Sequence, residues 1–108
     1  MSPRSAQTKL KAERVQSKLS KRAIGERLTA LSGWSGRDRR TAITKTYRFP
    51  GFRAALSFVA FVGELAEAED HHPDIDIRYS RVTLTLSTHE AGGLTDKDFH
   101  LASLIDQL

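Results

Sequence analysis

Apolar residues recur every three to four positions in three segments of the chain, and this spacing is the period of a helix. Ile24, Leu28 and Leu31 predict the first helix. We expect it to begin after Ser20, whose hydroxyl can accept a hydrogen bond from a free amide of the first turn, and to end at Gly33.

The second helical segment is the longest and runs from Phe52 to about Asp70. Its apolar residues form one stripe and, beside it, a second stripe that contains Phe58, Phe61 and Leu65. A helix that is apolar on two faces needs two partners, so we expect a sheet on one side and another subunit on the other. The main stripe consists of Phe52, Ala55, Leu56, Val59, Val62 and Ala66.

Alternation of apolar and polar residues predicts strands in three further segments, which are residues 42–49, 75–79 and 82–86. Only Ser80 and Arg81 separate the last two segments, and so short a connection predicts a tight hairpin. Residues 34–40 are predicted to form a loop or a short edge strand.

The third helix is predicted to follow a turn at Gly92 and Gly93. Thr95 is a suitable N-cap residue, and Asp98 stands three positions later, which is the spacing of a capping box. The order of elements is therefore helix, strand, helix, strand, strand, helix. This order predicts an α+β fold with an antiparallel sheet and the helices on one of its faces.

The length of 108 residues allows one ordinary domain. Residues 1–18 are rich in Lys, Arg, Ser and Gln, and we expect them to form a basic, mobile arm in front of a single domain at 19–108. The composition of the arm is also compatible with a transit peptide. The sequence has no apolar secretory segment and no apolar run long enough to cross a membrane, so we expect a cytoplasmic protein.

The distribution of charge and the absence of cysteine limit the kinds of binding and catalysis that the chain can support. The formal net charge is +4, but residues 1–48 hold 13 Lys and Arg against 3 Asp and Glu, whereas residues 49–108 hold 4 against 10. No aromatic stacking pattern is interleaved with the Lys and Arg residues of the basic half, so we interpret it as a solvated surface, with nucleic-acid binding through the arm as the alternative. Because the chain has no cysteine, thiol catalysis and thiolate zinc sites are excluded.

Three of the four histidines stand at predicted element boundaries. His71 and His72 end the central helix, and His89 follows the last strand. In a hairpin these boundaries meet at one edge of the sheet, so the three imidazoles are expected to converge, and imidazoles can both donate and accept protons near neutral pH. Glu67 stands four residues before His71, a spacing at which a carboxylate can orient an imidazole on one helix face. Asp70 and Asp98 add further negative charge.

Other interpretations of these residues remain open. Asp98 can be a helix cap alone, and histidines at a helix end can simply favour its dipole. Three imidazoles and a carboxylate could bind zinc, but neighbouring side chains at 71 and 72 diverge and no His-x-x-x-His pair is present. A serine nucleophile is disfavoured because there is no Gly-x-Ser-x-Gly turn.

The segment from Glu67 to Asp74, with His-His-Pro at its centre, resembles the pterin-4a-carbinolamine dehydratase family when it is taken with the segment from Ser87 to Asp98. The resemblance extends from about Leu19 to Gln107. It implies an α+β fold with a four-stranded antiparallel sheet, three helices on one face, and a homodimer or homotetramer. It also implies the dehydration of 4a-hydroxytetrahydropterin to quinonoid dihydropterin and water, which needs no metal and no redox cofactor.

The resemblance also implies roles for individual residues. His71 and His89 match acid or base positions at the 4a-hydroxyl, His72 matches a residue that holds the pterin, and Asp98 matches a carboxylate that supports the site. We accordingly expect these four residues to be the catalytic set. The residues that match the lining or backing of the pterin pocket are Glu67, Asp70, Pro73, Ser87, Thr88 and Glu90.

The resemblance further implies partners. A pterin is the substrate, and an aromatic amino-acid hydroxylase is the enzyme whose cofactor would be recycled. Animal relatives in this family also act as dimerisation cofactors of a transcription factor, so a non-enzymatic protein-binding module is the alternative function. The wide apolar face that contains Phe58, Phe61 and Leu65 is the feature that motivates this alternative.

Overall fold

A computed structural model describes residues 17–108 of the chain. It has three α-helices and a four-stranded antiparallel sheet, so the predicted α+β fold is confirmed. Of the predicted arm at 1–18, residues 1–16 lie outside the described part. In chain order the elements are α1 (Lys21–Thr29), β1 (Ser35–Arg37), β2 (Ala42–Arg48), α2 (Phe52–Glu69), β3 (Asp74–Arg78), β4 (Arg81–Leu86), a 3-10 turn (His89–Ala91) and α3 (Asp96–Asp106).

The sheet has the strand order β1-β2-β4-β3, so the C-terminal strand β4 lies between β2 and β3. One face of the sheet forms the core, where Ile43 pairs with Leu86 and both are fully buried. The opposite face is polar, and threonines pair across it from β2 to β4, as Thr46 and Thr83 do at 2.9 Å between their hydroxyl oxygens. The helices therefore cover the apolar face, and the polar face needs no cover.

Each predicted strand differs from the observed one by one residue at one or both ends, and two differences change how elements are connected. The first helix ends at Thr29 rather than at Gly33, because the amides of Ala30 and Leu31 donate to carbonyls only three residues back and tighten the chain. In the hairpin, Tyr79 belongs to the turn and not to the strand. Its backbone has φ of 52°, in the left-handed region that a strand residue does not adopt, so the two turn residues are Tyr79 and Ser80.

Helix α3 is tied to the sheet by Asp106. Its carboxylate accepts hydrogen bonds from the Tyr47 hydroxyl at 2.5 Å, from Trp34 Nε1 at 3.0 Å and from Lys45 Nζ at 2.8 Å. Burial of the phenol, together with the adjacent Asp106 carboxylate, raises the pKa of Tyr47 far above its ordinary value. This cluster fixes the end of α3 opposite to the one that carries Asp98 and thereby sets the position of the whole helix.

No helix among residues 17–108 has both the length and the apolar content needed to cross a membrane.

Candidate active site

The end of α2 determines where His71 lies. Asp70 caps the helix in the left-handed conformation, with φ of 51° and ψ of 44°. The amide of His71 then donates to the carbonyl of Ala66 at 3.1 Å, five residues back, as in the Schellman motif of helix ends. This motif turns the chain out of the helix immediately before His71, and Pro73 prevents the helix from resuming.

His71 is held by a buried carboxylate. Its Nε2 atom lies 2.6 Å from Oδ1 of Asp98, and the side chains are 10% and 0% exposed. An ionised carboxylate can only accept, so Nε2 carries the proton of this hydrogen bond. In the neutral ring Nδ1 is then the free acceptor, and in the charged ring Nδ1 becomes a donor. The arrangement suits a group that transfers protons through one nitrogen while the other stays fixed.

Asp98 is itself surrounded by donors. Its second oxygen, Oδ2, accepts from the Thr88 hydroxyl at 2.7 Å and from the backbone amide of Thr95 at 2.9 Å. The hydrogen bond from Thr95 completes the predicted capping box of α3, so Asp98 caps the helix and holds His71 at the same time. A buried carboxylate without such partners would be strongly unfavourable.

The hydroxyls of Thr88 and Thr95 take part in a series of hydrogen bonds in which each donor and acceptor is determined. Because Thr88 donates to Asp98, its oxygen must accept at the 2.9 Å contact with the Thr95 hydroxyl. The Thr95 oxygen in turn accepts from the amide of Lys97 at 3.2 Å. The first turn of α3 is thus connected through hydrogen bonds to Thr88, in the segment that follows β4.

His72 has a different carboxylate partner. The prediction that Glu67 orients His71 is wrong, since Oε2 of Glu67 lies 2.5 Å from Nε2 of His72 and both side chains are largely exposed. The four-residue spacing would bring Glu67 and His71 together only if the helix continued through residue 71. Because Asp70 ends the helix, His71 packs towards α3 and His72 takes the place beside Glu67.

A cleft of about 340 Å³ brings the three histidines together at one edge of the sheet. His89 enters it from the first position of the 3-10 turn, which is closed by paired backbone hydrogen bonds between Thr88 and Gly93 at 3.0 and 3.4 Å. Gly92 completes this turn with a positive φ of 72°. The remaining residues that line the cleft are Asp70, Ser87, Glu90 and Lys97.

The other predicted site residues lie outside the cleft lining. Thr88 and Asp98 are buried behind it, with 1% and 0% exposure, and act on the cleft through His71. Glu67 reaches the cleft only through His72, and Pro73 is half-buried beyond it. Sequence reasoning missed Lys97, which lines the cleft as its one lysine or arginine among the described residues. Its position next to Asp98, in an otherwise acidic half of the chain, was the available signal.

The arrangement allows proton transfer. Among residues 17–108, no three histidine, aspartate or glutamate side chains are placed so that they could share a metal ion. His71 and His72 instead bond to separate carboxylates, Asp98 and Glu67. Three imidazoles around one cleft can donate a proton at one point of a bound molecule and accept a proton at another.

The sequence profile of the pterin 4 alpha carbinolamine dehydratase family matches residues 17–108. A protein of Roseiflexus sp. (strain RS-1) named "Putative pterin-4-alpha-carbinolamine dehydratase" is 52% identical over 94 residues, which are 87% of this chain and 99% of that protein. A protein of Chloroflexus aurantiacus with the same name is 52% identical over 91 residues, or 84% of this chain and 96% of its own.

Two solved structures are similar to this fold. The crystal structure of a transcriptional coactivator/pterin dehydratase from Brucella melitensis has a TM-score of 0.81 and 37% identity, and the match covers 84% of this chain and 97% of that one. A pterin dehydratase-like protein described as a RuBisCO assembly factor in the alpha-carboxysome has a TM-score of 0.60 over 69% of this chain and 87% of its own. At 18% identity, the second similarity concerns the fold alone.

We predict that Thr88→Val lowers the free energy of unfolding by about 1–3 kcal/mol, because Asp98 and Thr95 lose a buried hydrogen-bond partner without a change in side-chain shape. Urea unfolding monitored by circular dichroism measures the loss. Thr85→Val is the matched control, since Thr85 is half-buried on the polar face of the sheet. Equal losses in the two variants would show that the hydroxyl of Thr88 has no special role.

Proposed function

The chain belongs to the pterin 4 alpha carbinolamine dehydratase family, and on that premise we propose that it dehydrates 4a-hydroxytetrahydropterin to quinonoid dihydropterin and water. The observation that carries this proposal is the His71–Asp98 pair in a cleft that His72 and His89 share. A dehydration needs an acid at the leaving oxygen and a base at a ring nitrogen, and imidazoles can serve as both.

In the proposed mechanism His71 and His89 are the proton-transfer residues at the 4a-hydroxyl. One imidazolium protonates this hydroxyl, the bond from C4a to oxygen breaks, and water leaves. A neutral imidazole takes the proton from a ring nitrogen, so the histidines together neither gain nor lose a proton over the cycle. Asp98 is a positioning residue, since it fixes Nε2 of His71 and leaves Nδ1 for the substrate.

Other groups at the cleft are proposed to hold the pterin. His72, which Glu67 orients, lies at the exposed side of the cleft. Asp70 and Glu90 supply acceptors for the N–H groups of the ring, and backbone groups between Ser87 and Glu90 can pair with its flat polar edge. Removal of water transfers no electrons, so the proposal includes no redox cofactor, and in it the imidazoles supply the acid and the base that a metal could otherwise provide. An aromatic amino-acid hydroxylase would supply the substrate and use the recycled pterin.

We predict that the wild-type protein accelerates the loss of the carbinolamine absorbance in an assay coupled to an aromatic amino-acid hydroxylase. His71→Ala and His89→Ala should each lower kcat/KM at least about 100-fold, which is the usual contribution of a general acid or base. Asp76→Ala, on the polar face of the sheet, is the control and should match the wild type. A wild-type rate equal to that of buffer would contradict the proposed reaction.

A specific observation supports a protein-binding function as the second candidate. Of the predicted second stripe only Phe61 is exposed, at 60%, because Phe58 and Leu65 pack against the core. Phe52 and Leu56, which were predicted in the main stripe, are exposed with it, although the opposite face of the helix is buried. An uncovered apolar face of this kind is typical of interaction sites. A second copy of the chain would cover it in a homodimer or homotetramer. A transcription regulator is the other partner that we consider, because the Brucella melitensis protein is named a transcriptional coactivator as well as a pterin dehydratase.

We predict that the wild-type protein elutes as a dimer or tetramer in size-exclusion chromatography with light scattering. Phe61→Ser should shift it towards the monomer by removing apolar area from the interface. Leu108→Ser, which changes an apolar residue of similar exposure at the C-terminus, is the matched control. A monomeric wild type would contradict self-association. Capture of a regulator that His71→Ala does not weaken and Phe61→Ser abolishes would favour the second candidate.

A further inference from the structure

Three arginines form a row across the sheet, at the end of β4 that is remote from the histidine cleft. In the register of the sheet, Arg81 of β4 pairs with Arg48 of β2 on one side and with Arg78 of β3 on the other. Neighbouring strands are about 4.8 Å apart, so the three side chains start from backbone positions within about 10 Å of one another. The next row on the same face has only one charged residue and consists of Thr46, Thr83 and Asp76.

Two of these arginines have no counter-charge in the described part of the chain. Nε of Arg78 lies 3.3 Å from Oδ2 of Asp76, but both side chains are largely exposed, so this ion pair is weak. Within residues 17–108, neither Arg48 nor Arg81 has a carboxylate within ion-pair distance. Like charges directly opposite each other on adjacent strands destabilise a sheet. The row is therefore unfavourable for the protein alone, and a bound anion would offset the repulsion.

This clustering of arginines does not follow from composition, because residues 49–108 hold only 4 Lys and Arg against 10 Asp and Glu. Two of the four, Arg78 and Arg81, belong to the row, and a third, Arg53, lies in the first turn of α2. That turn contains no acidic residue and has no side-chain cap, so its free amides add to the positive potential. Most cationic residues of an acidic segment are thus placed near one end of the sheet.

An exposed tyrosine lies beside the row. Tyr79 begins the hairpin turn with φ of 52°, a conformation that is unfavourable for a bulky residue and is usually taken by Gly or Asn. The side chain is nevertheless 72% exposed, and its ring is within 6° of parallel to that of Phe52, at 6.3 Å between centroids. Backbone strain of this kind clusters at ligand-binding sites. Most of the Tyr79 ring is free to contact a flat group of a ligand.

The arginines and the tyrosine line one open cleft of about 830 Å³. Guanidinium groups bind phosphate oxygens through paired hydrogen bonds, and exposed aromatic rings stack on nucleobases. An acidic peptide would use the arginines but not the tyrosine ring, and the same is true of a free inorganic anion. A molecule that has both phosphates and a base uses both features. The lining of the cleft includes Arg48, Phe49, Arg78, Tyr79, Ser80 and Arg81.

We infer that this cleft binds a nucleoside phosphate, with the phosphates on the row formed by Arg48, Arg81 and Arg78 and the base against the ring of Tyr79. Three guanidinium charges match a di- or triphosphate better than a monophosphate. No residue lines both this cleft and the histidine cleft, so the site is additional to the proposed dehydratase activity. A ligand bound here contacts β2, β3 and β4 together and stabilises the folded protein.

The test is isothermal titration calorimetry with ATP, inorganic triphosphate and adenosine, at one salt concentration because salt screens charge contacts. We expect ATP to bind more tightly than the other two, since only ATP has both phosphates and a base. Arg81→Gln should raise the Kd of ATP about tenfold, as loss of a hydrogen bond to a charged group does. Tyr79→Asn should weaken the binding of ATP but not that of inorganic triphosphate. Arg37→Gln, at an exposed arginine of edge strand β1, is the matched control.

Both test variants are expected to fold, because Arg81→Gln removes a contact between like charges and Asn suits the left-handed conformation at residue 79. A Kd of ATP that rises in both variants, but not in Arg37→Gln, supports the inference. A Kd unchanged in either variant, an equal rise in the control, or no binding of ATP at millimolar concentration overturns it.

Two further results would also overturn the inference by identifying a different ligand. Inorganic triphosphate that binds as tightly as ATP would show an anion site without base recognition. A single-stranded oligonucleotide that binds more tightly than ATP would show a surface for polynucleotides. The proposed dehydratase function does not depend on any of these outcomes, because the two clefts have no lining residue in common.

Discussion

The site depends on one buried charge, the carboxylate of Asp98. The oxygens of a carboxylate with no exposed surface must accept hydrogen bonds from the protein. Asp98 accepts three hydrogen bonds, one each from His71, Thr88 and Thr95. These donors come from the segment after α2, from the segment after β4 and from the start of α3. The hydrogen-bonding need of one carboxylate therefore brings together the three chain segments that form the cleft.

The same carboxylate connects stability with chemistry. As a cap, Asp98 satisfies a free amide at the start of α3, and as a partner of His71 it fixes one ring nitrogen. The rotamers of both residues are restricted by packing, since both are nearly or fully buried. His72 contrasts with this arrangement, because its pair with Glu67 is exposed to solvent and holds the ring less firmly. The first histidine suits proton transfer, and the second suits contact with a ligand.

Sequence periodicity was sufficient for the three helices, for three of the four strands and for the convergence of the three histidines at one edge of the sheet. The fourth strand, β1, was left open as a loop or a short edge strand, and only the family resemblance implied a four-stranded sheet. The capping box at Thr95 and Asp98 was also readable, because its signal is local in the chain. The sequence did not predict which side chains form hydrogen bonds with each other when they come from different elements. Glu67 was paired with His71 on helical spacing, which fails because Asp70 ends the helix one residue too early. Lys97 was missed because its position beside Asp98 is only a weak signal, and the packing of α3 beside α2 is what brings it to the cleft.

The central claim is that Asp98 fixes His71 with its proton on Nε2, so that Nδ1 is available to the substrate. Nitrogen NMR of the protein labelled in its histidine side chains tests this directly, at a pH where the rings are neutral. The account predicts a single His71 tautomer with a protonated Nε2, and a mixture of tautomers in Asp98→Ala. A His71 ring that carries its proton on Nδ1 in the wild type, or tautomers that Asp98→Ala leaves unchanged, would contradict it.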